Sequence, residues 1–180
     1  VTISRARLAV DFPASFMLVA SMNPCPCGFY NHPEKSCSCP PGAVTKYLNR
    51  ISGPLLDRID LHVEVTPVAF SALSSPVTTE NSASIRDRVM SARTIQAKRY
   101  KGKKGIYANA QIGSKEMKEI CQLNEAGQAL LKNAMEKLNL SARAYDRILK
   151  VARTVADLAW SEHIMPEHIA EAIHYRSLDR

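Results

Sequence analysis

Ser52-Gly53-Pro54-Leu55-Leu56-Asp57-Arg58-Ile59-Asp60 is the stretch on which the reading of this chain turns, because it delivers one arginine to the mouth of an expected strand. Ser52 can cap a short turn that Pro54 enters as an early helical residue, with Leu55 and Leu56 as its anchors. From there Ile59, Leu61, Val63 and Val65 alternate with Asp60, His62 and Glu64, the period of a half-buried strand that ends at Pro67. An arginine on a rigid turn at a strand end is placed for a phosphate held outside a sheet, where its planar fork makes bidentate contacts. The competing reading is a surface Arg58 paired with Asp57 or Asp60, and spacing alone allows both.

Working upstream, Thr2-Ile3-Ser4-Arg5 and Leu8-Ala9-Val10-Asp11-Phe12 read as two arms of a hairpin with Arg5 and Arg7 near its tip. Phe16-Met17-Leu18-Val19-Ala20-Ser21-Met22 is nearly continuous apolar sequence bounded by turn residues, the pattern of a strand buried on both faces of a parallel sheet. It ends at Asn23. An amide at the carboxyl end of a central strand lies where open α/β sheets bind ligands, and it serves equally as a turn former before Pro24.

The next segment holds Cys25 and Cys27, then Cys37 and Cys39, two Cys-x-Cys pairs separated by loop formers such as Gly28, Asn31, His32 and Pro33; the fifth cysteine, Cys121, stands apart. Such a loop buries little apolar surface, so a metal or a disulfide is needed to order it. Four soft ligands on tight turns suit tetrahedral zinc, and His32 can replace one thiolate; disulfides and free thiols are the alternatives. Nothing in the sequence suggests secretion, and in a reducing cytosol thiolates favour metal over disulfides.

Ala43 to Ile51 reads as a short helix leading into the Arg58 turn. Ala72 to Ser84, rich in Ser, Thr, Pro and Asn, reads as a linker. Beyond it everything reads as helix: Ile85 to Tyr100 capped by Ser84, a break at Gly102-Lys103-Lys104-Gly105, a short helix capped by Ser114, then Glu125 to Leu138, Ala142 to Trp160 capped by Ser141, and a last helix from Pro166. In the long helix Arg143 falls in the first turn, where free amides can hold an anion, while Arg147, Lys150 and Arg153 read as a solvated basic face.

At 180 residues, 46% hydrophobic and 23% charged, the chain has ordinary globular composition, with one or two domains. The apolar run near Phe16 to Met22 is too short to span a bilayer, so no membrane span and no membrane partner is expected, and Val1 opens inside an expected strand, as in a fragment of something longer. The net charge of +7 is lopsided. Up to Ser84 six Lys/Arg meet six Asp/Glu; from Ile85 onward 18 meet 11. The densest part, Arg86, Arg88, Arg93, Lys98, Arg99, Lys101, Lys103 and Lys104 against Asp87, can attract phosphate backbones or simply form a solvated helix face.

Taken together, Thr2-Ile3-Ser4-Arg5-Ala6, Met22-Asn23-Pro24 followed by Cys25-Pro26-Cys27-Gly28, Leu55-Leu56-Asp57-Arg58-Ile59-Asp60 and Ser141-Ala142-Arg143-Ala144 with Ile148 to Thr154 resemble AAA+ ATPases of the magnesium-chelatase-like group, and within it a bacterial competence-protein subgroup. The resemblance covers essentially the whole chain. It implies an α/β remnant of an AAA+ P-loop ATPase core at 1–70, with central parallel strands and a hairpin, a linker at 71–84, and an all-α lid bundle at 85–180. It implies that Asn23 is the sensor-1 residue that orients the attacking water, that Arg58 is the arginine finger acting on a neighbouring subunit's nucleotide, and that Arg143 is the lid's sensor-2 arginine. Arg5, with Arg7, falls where related helicases carry a basic hairpin toward DNA in a central pore. ATP and Mg²⁺ are the implied cofactors of the full-length protein, a structural zinc on Cys25, Cys27, Cys37 and Cys39 a further one, and the implied partners are further copies in a hexameric ring and DNA, in the cytoplasm.

The chain contains no Gly-x-x-x-x-Gly-Lys-Ser/Thr and no apolar strand ending in Asp-Glu. The phosphate loop and metal carboxylates are therefore expected upstream in the parent protein, and the 180 residues by themselves are expected to hydrolyse no ATP, with Arg58 in the separate chain settling into an ordinary salt bridge. Two functions compete for the whole ring: a motor that moves on or remodels DNA, as in branch migration, and a chelatase-type or chaperone-like motor acting on a metal-insertion or protein partner. A non-enzymatic basic binding module is the third reading.

Overall fold

The computed structural model describes residues 1–5, 8–14, 16–68 and 79–176. The chain divides into two compact units, Val1–Asn49 and Arg50–Arg180. Most of the linker expected at 71–84, together with Arg7, lies outside the described residues.

In the first unit the opening hairpin forms as its alternation suggests. Strand β1 (Thr2–Arg5) runs antiparallel to β2 (Leu8–Asp11), with Thr2 opposite Asp11 and Arg5 opposite Leu8. Thr2 Oγ1 donates to Asp11 Oδ1 at 2.5 Å and the Phe12 amide to the Val1 carbonyl at 2.8 Å, closing the open end. Both faces of this ribbon are exposed. The strand expected at Phe16 to Met22 does not form: these residues are extended coil, with Met17 87% and Val19 82% exposed. A strand of that composition needs neighbouring strands on both edges and layers on both faces, and the two described strands pair only with each other. After the cysteine segment, Gly42 takes a φ of 79° at the head of α1 (Ala43–Leu48), a shorter helix than the expected Ala43 to Ile51.

The second unit is helical. Helix α2 (Gly53–Leu56) is the Pro54 turn itself, entered from Ser52. The alternation after it does not become a strand. Leu61, Val63 and Val65, expected to face a core, are exposed, whereas His62 is buried and its amide donates to the Tyr175 carbonyl at 2.8 Å. The segment is thus fastened to a helix end instead of to a sheet. Helix α3 (Ser82–Arg99) starts before the expected cap, because Asn81 accepts the Ser84 amide at 2.9 Å and takes the role assigned to Ser84. Next come a short 3₁₀ turn at Asn109–Gln111, α4 (Ser114–Ile120), α5 (Glu125–Lys137), α6 (Ala142–Leu158) and α7 (Pro166–His174). Asn124 caps α5 and Ser141 caps α6, each accepting the amide three residues on.

The core is the apolar stripe of α6, Ile148, Leu149, Ala152 and Ala156, closed by Leu131 of α5, Met117 of α4, Ile169 and Ala172 of α7, and Tyr100 and Ile112. Gly127 lets α5 and α7 approach: a Cβ there would lie 2.9 Å from Ile169 Cδ1. A polar knot completes this interior. Asp157, its side chain wholly buried, accepts two bonds from Arg99 at 2.5 and 2.7 Å, one from Asn109 Nδ2 at 2.8 Å and one from Arg153 Nε at 3.2 Å. Arg153 is therefore not on a solvated face. It is 3% exposed and also donates to the Ser161 and Glu162 carbonyls, because the carboxylate four residues on and these two carbonyls together outcompete water.

Candidate functional site

Arg58 sits on the last turn of the α2 segment, exposed, its amide donating to the Leu55 carbonyl and its Nη1 to the Pro54 carbonyl at 2.6 Å. Neither expected carboxylate holds it. Asp57 Oδ1 accepts Ser141 Oγ at 3.0 Å and lies 3.8 Å from Arg176 Nη2, while Asp60 pairs with Arg147. Arg176, buried at the end of α7, also donates to the Ile59 carbonyl. Ser141 thus does two jobs: it caps α6 through the Ala144 amide and donates its hydroxyl proton to Asp57. The result is a direct mechanical link from the Arg58 turn to the start of α6, where Arg143 stands exposed in the first turn.

Arg58, Arg147 and Arg176 lie close to Asp57 and Asp60 here. Burial first, then the charges of Arg176 and Arg58, pull Arg147 below the usual guanidinium range, against the opposing influence of Asp57. Spacing singles out Arg58 and the Ser141 cap, but not the linkage of Asp57, Asp60, Ser141, Arg147 and Arg176, which joins residues more than 80 positions apart; Arg147 pairs with Asp60 instead of lying on a solvated face. Lys150 reaches the Ala110 carbonyl at 3.2 Å.

The cysteines of the first unit converge. The Sγ atoms of Cys25, Cys27, Cys37 and Cys39 all lie within 4.8 Å of one another, with Cys25 to Cys27 at 3.3 Å, Cys27 to Cys37 at 3.5 Å and Cys25 to Cys37 at 3.8 Å. Zinc–sulfur bonds of about 2.3 Å place tetrahedral ligands about 3.8 Å apart, so this donor set fits Zn²⁺. Gly28, at φ 83°, closes the turn that lets the first pair share a ligand point. His32 is not a fourth ligand: its Nδ1 accepts the Glu34 and Lys35 amides, both at 3.1 Å. The Phe29 amide holds the Cys27 thiol down to about 5. For Cys39 the Cys27 amide pulls the same way, but partial burial and the neighbouring thiols outweigh it and push the group up to about 12. Cys121 is elsewhere, buried, and raised to about 11 chiefly by that burial, an inert core thiol.

Asn23 is exposed in coil just before this cluster, and Arg5 is exposed at the end of β1. Among the described residues no helix is long and apolar enough to cross a membrane.

Comparison with known proteins bears on these positions. Residues 1–73 match the family described as magnesium chelatase, subunit ChlI, and residues 79–176 match the magnesium chelatase, subunit ChlI C-terminal family. The chain is 44% identical over 181 aligned positions to the competence protein ComM of Haemophilus influenzae, covering all of this chain and 34% of that protein. It is 41% identical over 179 positions to the protein YifB of Escherichia coli, covering 99% of this chain and 34% of that one. A protein of Mycobacterium bovis, Mb2921c, is 33% identical over 165 positions, with 92% and 32% covered. The chain spans about a third of the length of the curated relatives it matches.

Proposed function

Because the chain belongs to the magnesium chelatase subunit ChlI family, we propose that it supplies the arginine finger, the two sensors and the helical lid of a ring-forming AAA+ ATPase that moves on or remodels DNA, as in branch migration of incoming strands. In this reading residues 1–70 are the rear of the ATPase core, 71–84 a linker and 85–180 the lid. The observation that carries it is the placement of Arg58: exposed, bound among the described residues to a neutral carbonyl of its own turn, and fastened through Asp57 and Ser141 to the helix whose first turn carries Arg143.

Arg58 would present its fork to the phosphoryl group of a nucleotide on a neighbouring copy, where negative charge builds up during transfer. Arg143 and the free amides at the start of α6 form the second cationic group, and movement at one is passed to the other through the Ser141–Asp57 bond. Asn23 would orient the attacking water. These donors fit ATP phosphates; Mg²⁺ needs carboxylates, and Asp57 and Asp60 are already engaged by Ser141, Arg176 and Arg147, so in this reading neither of the two serves the metal. Four convergent thiols would hold a Zn²⁺ that orders the insert after Asn23. Arg5 and Arg7 on the hairpin would meet DNA.

In the intact protein, Arg58→Ala lowers DNA-stimulated ATP turnover by about a thousandfold or more while nucleotide binding persists. Unchanged turnover refutes the finger and favours a plain basic binding module. The kinship with magnesium chelatase favours one rival, a chelatase-type motor with a metal-insertion or protein partner. That rival gains if DNA neither stimulates the ATPase nor binds with a steep salt dependence.

A further inference from the structure

The last turn of α3 and the loop after it form a second cationic feature, apart in sequence from the Arg58 and Arg143 site. Tyr100 ends the helix with its hydroxyl donating to Asn109 Oδ1 at 2.6 Å, and Lys103 turns back so that its amide donates to the Tyr100 carbonyl at 2.9 Å. Gly102 and Gly105 both sit near φ 80°, the left-handed region that lets a short loop fold back on a helix end. The Tyr107 and Ala108 amides then both donate to Gln111 Oε1, at 2.7 and 3.1 Å. The loop is therefore fixed by its own backbone and side-chain hydrogen bonds before any partner arrives, and little ordering entropy is lost on binding.

This fixed loop frames an open groove of about 500 Å³. Met90, Ile106 and Tyr107 line it together with Arg93, Lys101 and Lys103, and Tyr107 is 71% exposed. Lys104 and Lys98 are exposed close by in sequence. Glu119 lies 3.8 Å from Lys103, a long surface pair, and Glu116 also feels the Lys103 charge; among the described residues Arg93 and Lys101 form no ion pair. A tyrosine ring with a free face beside several cations and apolar side chains is the combination that single-stranded nucleic acid requires: phosphates for the cations, an unstacked base for the ring. A duplex keeps its bases stacked and offers the ring nothing, and an acidic peptide would satisfy the lysines but leave Tyr107 idle.

We infer that this groove binds single-stranded nucleic acid, with one base stacked on Tyr107 and the flanking phosphates on Arg93, Lys101 and Lys103. The site goes beyond the proposed ATPase, since it needs neither ring nor nucleotide. The 180-residue chain is titrated with fluorescent oligo-dT and oligo-rU of about 20 nucleotides, longer than one such site, across a salt series. Both bind alike, because stacking ignores the sugar. Tyr107→Ala weakens them about tenfold and Tyr107→Phe restores them. The double variant Arg93→Ala/Lys101→Ala flattens the salt slope by about 1.4, at 0.7 per phosphate contact. Tyr107, Arg93 and Lys101 are exposed, and retained helical circular dichroism verifies the fold of each variant. Equal binding of duplex, an unchanged Tyr107→Ala, or full competition by polyglutamate overturns the inference, the last in favour of an acidic protein partner. Loss of binding in Arg5→Ala with none in the groove variants moves DNA to the hairpin, so that the groove fails while the DNA motor survives.

Discussion

Replacing Asp157 by asparagine keeps the shape of the side chain at the centre of the helical unit and removes its charge. The carboxylate is fully buried and receives Arg99 twice, Asn109 once and Arg153 once, at 2.5 to 3.2 Å. In the variant one oxygen becomes an NH₂ group that faces donors, so at least one guanidinium bond is lost outright and a second meets repulsion. Arg153 is 3% exposed and cannot move to water without opening α6 from the following turn. Arg99, with a side chain 20% exposed, can be partly resolvated, which trims the penalty. Breaking one partner of a buried pair costs about 3–5 kcal/mol, and the partial exposure of Arg99 places the expected loss near the lower end, about 3 kcal/mol. Against a total stability of about 5–15 kcal/mol that is a large fraction. At roughly 3–4 °C per kcal/mol for a unit of this size, the melting temperature falls by about 10 °C. Urea unfolding followed by far-ultraviolet circular dichroism reports this unit, because α3 to α7 carry most of the helix. A loss under about 1 kcal/mol would show that the knot contributes geometry but little stability, and would refute the reasoning.

Two further outcomes follow from the sites. Protein purified from cells should carry close to one equivalent of zinc by elemental analysis, and Cys39→Ser should lose most of it; less than about half an equivalent counts against the metal centre. Because Cys39 is pushed up to about 12 and Cys37 is also raised, both carry protons at neutral pH that Zn²⁺ must displace, so apparent affinity rises with pH, by about a hundredfold per unit if two protons leave, and a flat profile refutes the assignment. Ser141→Ala removes both the α6 cap and the bond to Asp57, and should cost about 1–2 kcal/mol in the same urea assay; a loss of only a few tenths would mean that the link from the Arg58 turn to α6 bears no strain.

What the sequence discloses divides along the range of the interactions involved. Helices α5, α6 and α7 were legible in the spacing of Leu130, Leu131, Ile148, Leu149 and Val155 and in the Ser141 and Pro166 start signals, since helical bonds close within four residues. The cysteine centre was legible for a related reason: each Cys-x-Cys pair is a local turn, and only one loop has to close. Both expected strands failed because a strand is made by its neighbours, and neither Phe16 to Met22 nor Ile59 to Val65 has a partner edge among the described residues. Arg153 was misread although the signal was present, an aspartate four residues on at Asp157.

Arg58 shows how far such reasoning reaches. Asp57 and Asp60 flank it so closely that a local ion pair is the natural expectation, and local Coulomb attraction alone would favour it. Yet surface pairs contribute about 0–1 kcal/mol, and each carboxylate has a better offer: Asp57 a hydroxyl from a helix cap and a buried guanidinium, Asp60 a partly buried one. Long-range partners that are less exposed, and so less screened, outcompete the adjacent one. Arg58 is left with a neutral carbonyl, which orients the fork without cancelling its charge. A guanidinium neutralised by a neighbouring carboxylate would have to lose that partner before meeting a phosphate; one held by Pro54 does not, and the separation of Arg58 from its own acidic neighbours is the physical condition for it to act on an anion supplied by another molecule.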